Sequence, residues 1–289
     1  MRSISDYTRA LFGEKAYRLS LAGGFSCPNR DGAISRIGCT FCLNGSGDFA
    51  SSHILPPDEQ IEQAKSRISG KYRGSTFIAY FQSFTNTYLP VDILRQRFEP
   101  VIRRDDIAAL AIGTRPDCLP ADVLDLLGEL NCIKPVWVEL GLQTMHDDTA
   151  LRLNRGYPTR RYDEAIASLN LLGIHTVTHM ILGLPGETEA MMIATADHIA
   201  AQNSGGLKIQ MLNILRGTPL ADEYESASFP LLSLEEYANL TARIIRRMPD
   251  SMVLHRMTGD GPRRALIAPM WITDKKRVLN TIERELRRI

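Results

Sequence analysis

The chain predicts an α/β fold, a partly open TIM-like (β/α)6 barrel with a C-terminal α/β extension. Two patterns predict it. Strand and helix signals alternate about six times at spacings near thirty residues, the rhythm of parallel strands joined by right-handed crossovers. The run Thr76-Phe77-Ile78-Ala79-Tyr80-Phe81 is apolar and aromatic throughout, as a strand buried on both faces should be. Six units are too few to close an eight-fold barrel, so the sheet is expected to curve and stay open.

Taken in order, residues 15–21 alternate and then turn apolar before Ala22-Gly23-Gly24, which reads as a first strand. Residues 57–69 carry Ile61, Ala64 and Ile68 at helical spacing behind the start signal Pro56-Pro57-Asp58. Strands are expected at 76–81, 107–112, 136–140, 176–182 and 207–214, and helices at 91–103, 120–130, 161–172 and 188–202. After Pro219 the rhythm breaks. A helix at 234–248, a short strand-like run at 253–257 and a helix at 274–288 read as an extension, 220–289, packed over a barrel core at 1–219. No linker composition separates the two.

Composition narrows the class. At 289 residues the chain can bury a sizeable core. Five cysteines in this length are no secreted disulfide framework, no apolar run is long enough to span a membrane, and the N-terminus has no signal-peptide pattern. A cytoplasmic protein with reduced thiols is expected. The formal charge is +1, but residues 243–289 hold twelve Lys/Arg against five Asp/Glu while the rest is acidic. That asymmetry points either to an anionic partner or to a solvated helix face.

The most informative stretch runs from Gly23-Gly24-Phe25-Ser26-Cys27-Pro28-Asn29-Arg30-Asp31-Gly32 to Gly38-Cys39-Thr40-Phe41-Cys42. Its three cysteines, spaced C-x11-C-x2-C, lie in a loop by virtue of its glycines, proline, Asn29 and Asp31. A loop can wrap thiolates around a metal centre. No fourth cysteine or histidine follows at zinc-finger spacing. Three thiolates on a cubic iron–sulfur cluster would leave one iron open to a ligand. A redox Cys39–Cys42 pair and a metal-binding module without catalysis also fit the spacing.

This loop, placed at 24–45, resembles the cluster loop of the radical S-adenosylmethionine (SAM) superfamily, with Phe41 as the aromatic before the last cysteine. The long first gap resembles the branch related to the elongator catalytic subunit, and Cys-Pro-Asn-Arg-Asp-Gly resembles the YhcC-like subfamily. The resemblance implies the partly open barrel just described. It also implies a [4Fe–4S] cluster on Cys27, Cys39 and Cys42, and SAM cleaved reductively to a 5′-deoxyadenosyl radical that abstracts hydrogen from a substrate. A low-potential electron donor of the flavodoxin or ferredoxin type is then required.

In parallel α/β folds ligands bind at the C-terminal strand ends. Gln82-Ser83-Phe84-Thr85-Asn86-Thr87 follows the second strand and takes the place of the family's glycine-rich segment for the SAM amine, though without its glycines. Thr114-Arg115-Pro116-Asp117 follows the third, where an Arg–Asp pair or a substrate contact is expected. Glu139 is an acid inside an apolar strand and must be paired. The resemblance makes Glu139 and Gln143 contacts of SAM polar atoms, Arg155 of Asn154-Arg155-Gly156 the partner of its carboxylate, and Ile181 and Leu215 contacts of its adenine. Gly183 would let the backbone approach closely, and Glu187 is expected to cap a helix. Cys118 and Cys132 read as spare thiols, and His53, His175 and His198 carry no ligand spacing. The extension's His255-Arg256-Met257-Thr258-Gly259-Asp260-Gly261 matches the subfamily and could reach over the barrel mouth. The substrate is not readable from these residues. RNA fits the basic extension, and a peptide or small metabolite is equally allowed. The alternative function is a non-catalytic zinc or iron–sulfur module whose barrel binds a partner.

Overall fold

The computed structural model describes residues 1–43, 55–227, 229–259 and 261–288. His53, Asp260 and the end of the expected cluster loop lie outside them. In chain order the elements begin with β1 (Arg2–Ser3), α1 (Ile4–Phe12), β2 (Tyr17–Leu21), α2 (Pro57–Ile68), β3 (Phe77–Phe81) and α3 (Val91–Ile102). Next come β4 (Ile107–Thr114), α4 (Ala121–Ile133), β5 (Val136–Gln143), α5 (Asp147–Arg152), α6 (Thr159–Leu171), β6 (His175–Leu182), α7 (Glu189–Ala201) and β7 (Gly206–Met211). The chain then forms β8 (Ile214–Leu215), α8 (Pro219–Ala227), α9 (Leu234–Arg247), β9 (Val253–Arg256), β10 (Leu266–Ala268) and α10 (Lys275–Arg287).

Eight parallel strands form one curled sheet in the order β1-β9-β7-β6-β5-β4-β3-β2. The six repeating units β2 to β7 are those read from the sequence. Helices cover the outer face, where Phe81, Leu110, Val138 and Met180 pack against Phe98, Leu127 and Tyr162 in one continuous core. The inner face is different. Alternation along each strand sends Arg18, Tyr80, Glu139, His179 and Lys208 inward, and their side chains meet across the curl. An interior layer of Ile78, Ala109, Ala111 and Trp137 is joined by Tyr7 from α1.

Two expectations are amended. The single strand at 207–214 is two: β7 stays in the barrel, and β8 leaves it to pair antiparallel with β10. The run at 253–257 is β9, hydrogen-bonded between β7 and β1, so it forms part of the barrel wall. Helix α9 starts on a full capping box, Ser233 with Glu236, and α10 starts on Asp274, which accepts from the Arg277 amide.

Candidate cofactor site at the barrel mouth

The cysteine loop leaves β2 at the C-terminal end of the sheet. Cys27, Cys39 and Cys42 are free thiols, each partly exposed, whereas Cys118 is buried and Cys132 exposed. Local hydrogen bonds fix the loop's shape. The amides of Arg30 and Asp31 donate to Cys27 O, and the amide of Cys42 donates to Cys39 O at 3.0 Å. Arg30 Nη2 donates to the carbonyls of Cys42 and Leu43. Gly38 stands at φ 78°, and a Cβ there would lie 2.9 Å from Arg30 Nε, so only glycine fits beside this arginine.

A second segment clamps the loop from outside. Asn154 Nδ2 donates to Gly38 O at 2.7 Å and to Ser35 Oγ at 3.1 Å, while Asn29 Nδ2 donates back to Asn154 O. The Thr40 amide donates to Leu153 O at 2.9 Å. Arg155 stands at the centre of the clamp and is 1 % exposed. All five of its N–H groups have protein acceptors. Nε reaches Tyr157 O, Nη1 reaches Leu142 O and Thr144 O, and Nη2 reaches Asp147 Oδ1 and Thr159 Oγ1, all at 2.6–3.2 Å. The guanidinium expected at a ligand carboxylate has no N–H left to offer one in this structure. Arg115 grips Asp117 through two bonds of 2.9 and 2.8 Å and donates to Arg155 O at 2.9 Å, a nearly buried pair rather than a solvated one.

The thiols feel one another. Burial, then the charge of Cys42 and more weakly that of Cys27, pushes the Cys39 thiol up to about 11. The Arg115 guanidinium and the Asn29 amide, 3.5 Å from Cys39 Sγ, act in the opposite sense. A bound cation relieves this thiolate repulsion. Among the described residues no three Cys, His, Asp or Glu side chains converge on a single-ion position. A cubic cluster takes three thiolates and leaves one iron open, which suits a three-cysteine loop better than a closed four-ligand zinc site does.

The other expected residues gather at the same end of the barrel. Gln82 and Ser83 are half-buried, Phe84 is exposed at φ 63°, and the Thr85 amide ties their loop to Ser26 O at 3.1 Å. Asn86 Nδ2 holds Gly113 O at 2.7 Å. Gln143, at φ 63°, ends β5 with its Oε1 buried and without a partner. Ile181 and Phe41 share one small apolar cluster with Leu153 and Leu212. Leu215, on β8, is buried in the main core instead. Gly183, at φ 82°, packs against Leu232. Glu187 does not cap α7: Thr188 does, accepting from the Met191 amide, while Glu187 accepts from the Thr144 hydroxyl.

Glu139 lies deeper, in the barrel interior. Its Oε2 accepts from Tyr80 at 2.5 Å, from His179 Nε2 at 2.8 Å and from Lys208 Nζ. Arg18 Nη1 stands 3.0 Å from Oε1 as an ion pair without hydrogen-bond alignment. Burial alone would raise this carboxyl, but the Lys208 and Arg18 cations and His179 outweigh it and hold it well below the usual range. Its required partners are therefore protein cations. Sequence reading passed over Arg18 and Lys208, whose signal was a charge at a single alternation step of an apolar strand. Asn29 and Asn154 were visible within their motifs, but their mutual clamp exists only in the fold.

The radical SAM superfamily model matches residues 29–199, and the radical SAM C-terminal domain model matches residues 205–288. This chain belongs to the radical SAM superfamily. Membership implies a [4Fe–4S] cluster, SAM and a source of reducing electrons. The chain is 44 % identical over 285 residues to the uncharacterized protein YtqA of Bacillus subtilis, covering 98 % of this chain and 88 % of that one. It is 37 % identical over 272 residues to protein YhcC of Escherichia coli, covering 93 % and 86 %. Among solved structures, the Elp3 of the archaeon Methanocaldococcus infernus shares this fold at a TM-score of 0.70 and 15 % identity, over 93 % of this chain and 63 % of that one. No helix among the described residues is long and apolar enough to cross a membrane.

Proposed function

We propose that the chain is a radical SAM enzyme that holds a [4Fe–4S] cluster on Cys27, Cys39 and Cys42, with SAM beside it at the barrel mouth. One observation carries the reading: three free cysteines in a clamped loop at the C-terminal end of a parallel half-barrel. When bound, the cluster supplies the electron that cleaves SAM to a 5′-deoxyadenosyl radical. The chain's own residues orient and exclude. Asn29 and Arg115 favour the thiolate of Cys39. Gln143 Oε1, buried and unpartnered, is an acceptor for a SAM N–H or O–H. The loop of Gln82, Ser83 and Phe84, joined to the cysteine loop by the Thr85–Ser26 bond, takes the part of the family's segment for the SAM amine. Phe41 and Ile181, which share one apolar cluster, and Leu215 of the main core are the residues offered to adenine. Glu139 acts through the cations it holds. The electron donor is a low-potential redox protein of the flavodoxin or ferredoxin type.

RNA is the proposed substrate class. A cleft of about 530 Å³ on α10 is lined by Lys276, Arg277 and Arg284 with Asp274, Asn280 and Thr281, and suits phosphates. Several other cations of the extension are paired: Arg243 with Glu189, Arg247 with Asp197, and Arg288 with Glu285, which Arg284 of the cleft also meets.

Anaerobic reconstitution with iron and sulfide assay and an optical spectrum tests the cluster. About four irons per chain with a brown chromophore is the expected result. A colourless protein with one zinc would favour a non-catalytic metal module, and a reversible disulfide without iron would favour a redox pair.

A further inference from the structure

The barrel interior is unbalanced in charge. Arg18, Lys208 and Arg256 face it, and among the described residues Glu139 is the one carboxylate they meet. The neighbouring histidines do not add to this excess, since burial holds His179 and His175 down to about 4 and therefore neutral. Arginines stay protonated, so even a neutral Lys208 would leave one more cation than Glu139 matches. An uncompensated charge away from water is costly.

The imbalance is sharpest at Arg256, the last residue of β9, which pairs in register with Lys208. Its Nη2 donates to Gln210 Oε1, which lies one alternation step above Lys208 on β7. Its Nε is buried without an acceptor. Nearby, Asn213 Oδ1 is also buried and unpartnered. The backbone at Gly259 brings these groups together, since a Cβ there would lie 3.6 Å from Gln210 Cβ and 3.4 Å from Asn213 Nδ2.

We propose that this end of the interior takes an oxyanion of the substrate, a carboxylate or a phosphate, on the guanidinium of Arg256, with Asn213 accepting a neighbouring donor. The proposal rests on the reading above that substrate reacts at the barrel mouth. It adds a chemical requirement, a negative group placed within the barrel and separate from any phosphate on α10. Arginine suits the role because its fork meets two oxygens at once.

The test is thermal unfolding of the anaerobically reconstituted protein at constant ionic strength, with chloride replaced stepwise by acetate or by inorganic phosphate. A saturable rise in Tm is expected for one of them, since a ligand of the folded state stabilises it by mass action. Acetate and phosphate as separate arms tell a carboxylate from a phosphate. Arg256→Gln is expected to raise the half-saturating concentration about tenfold or more. Should that variant not fold, Arg256→Lys, which keeps the charge and loses the fork, is read in the same way. Lys276→Gln with Arg277→Gln controls for the outer cleft and is expected to leave the response unchanged. A response unaltered in the Arg256 variant, lost in the outer-cleft variant, or absent from the wild type overturns the proposal. SAM cleavage measured in the same preparation keeps the two claims apart. Cleavage without an anion response sinks only the oxyanion site, and an anion response without cleavage sinks only the radical SAM reading.

Discussion

Arg18 Nη2 lies 3.1 Å from His255 Nδ1, although β2 ends the sheet order, β9 lies second from its other end, and the two strands share no backbone hydrogen bond. The contact spans the open seam of the half-barrel. It also fixes protons. Arginine can only donate, so His255 Nδ1 accepts, and the neutral ring carries its proton on Nε2. That nitrogen is 3.1 Å from His175 Nε2, which must then accept. The two rings are stacked, and Tyr7 stacks on His175 from below.

A pH dependence of stability follows. Burial, then Arg18, holds His255 well below the ordinary histidine value, and burial holds His175 down to about 4. A depressed folded pKa means that the unfolded chain takes up protons first as pH falls. The stabilisation is present above about 6.5 and is lost on the way down to about 4, at a cost of roughly 3 kcal/mol for His175. Tm should fall steadily between pH 7 and pH 4.5, and His175→Phe should flatten the slope. A wild-type Tm independent of pH in this window would contradict the network.

The Glu139–Lys208 pair is expected to behave as a buried ion pair. Glu139→Gln leaves Lys208 and Arg18 without a carboxylate and should destabilise by about 3–5 kcal/mol, whereas Lys208→Met leaves Glu139 to Arg18 and should cost less. The double variant should recover much of that loss. Simple additivity of the two single losses, read from urea unfolding, would show that the two side chains do not depend on each other.

Arg155 separates two roles. As the clamp of the cysteine loop, Arg155→Ala abandons the buried carbonyls of Leu142, Thr144 and Tyr157. It should lower stability by at least about 3 kcal/mol and reduce iron retention. A variant with unchanged Tm and full iron, yet weakened SAM binding, would return this arginine to the ligand carboxylate.

The six-unit barrel was legible because strand and helix periodicities are local. Thr76-Phe77-Ile78-Ala79-Tyr80-Phe81 announces a buried strand without reference to anything distant. What stayed hidden depends on pairing. Val253-Leu254-His255-Arg256 is a weak strand signal because its polar residues face the barrel interior, and nothing in its composition says that it joins β7 and β1. Helices α1, α5 and α8 are too short for a strong period. At the site, the cysteine spacing stood out in one dimension. Asn154 and Arg155 were visible as a motif, but their engagement with Gly38 O, Leu142 O and Thr144 O exists only after folding.

The α10 cleft makes RNA binding salt-dependent. If Lys276, Arg277 and Arg284 neutralise phosphates, the affinity for total cellular RNA should fall steeply between 50 and 200 mM salt, by roughly one power of the salt concentration for each contact. Reversing the three to glutamate should weaken RNA binding and leave substrate-free SAM cleavage unchanged. Salt-independent retention, or none at low salt, would leave α10 as a solvated face.

The central claim is tested most directly by incubating the anaerobically reconstituted, reduced protein with SAM and separating the products. The account predicts slow formation of 5′-deoxyadenosine and methionine. It predicts loss of both iron and product in Cys27→Ala, Cys39→Ala and Cys42→Ala, and retention of both in Cys118→Ala and Cys132→Ala. Full iron in Cys39→Ala, or S-adenosylhomocysteine as the sole product of the wild type, would contradict it.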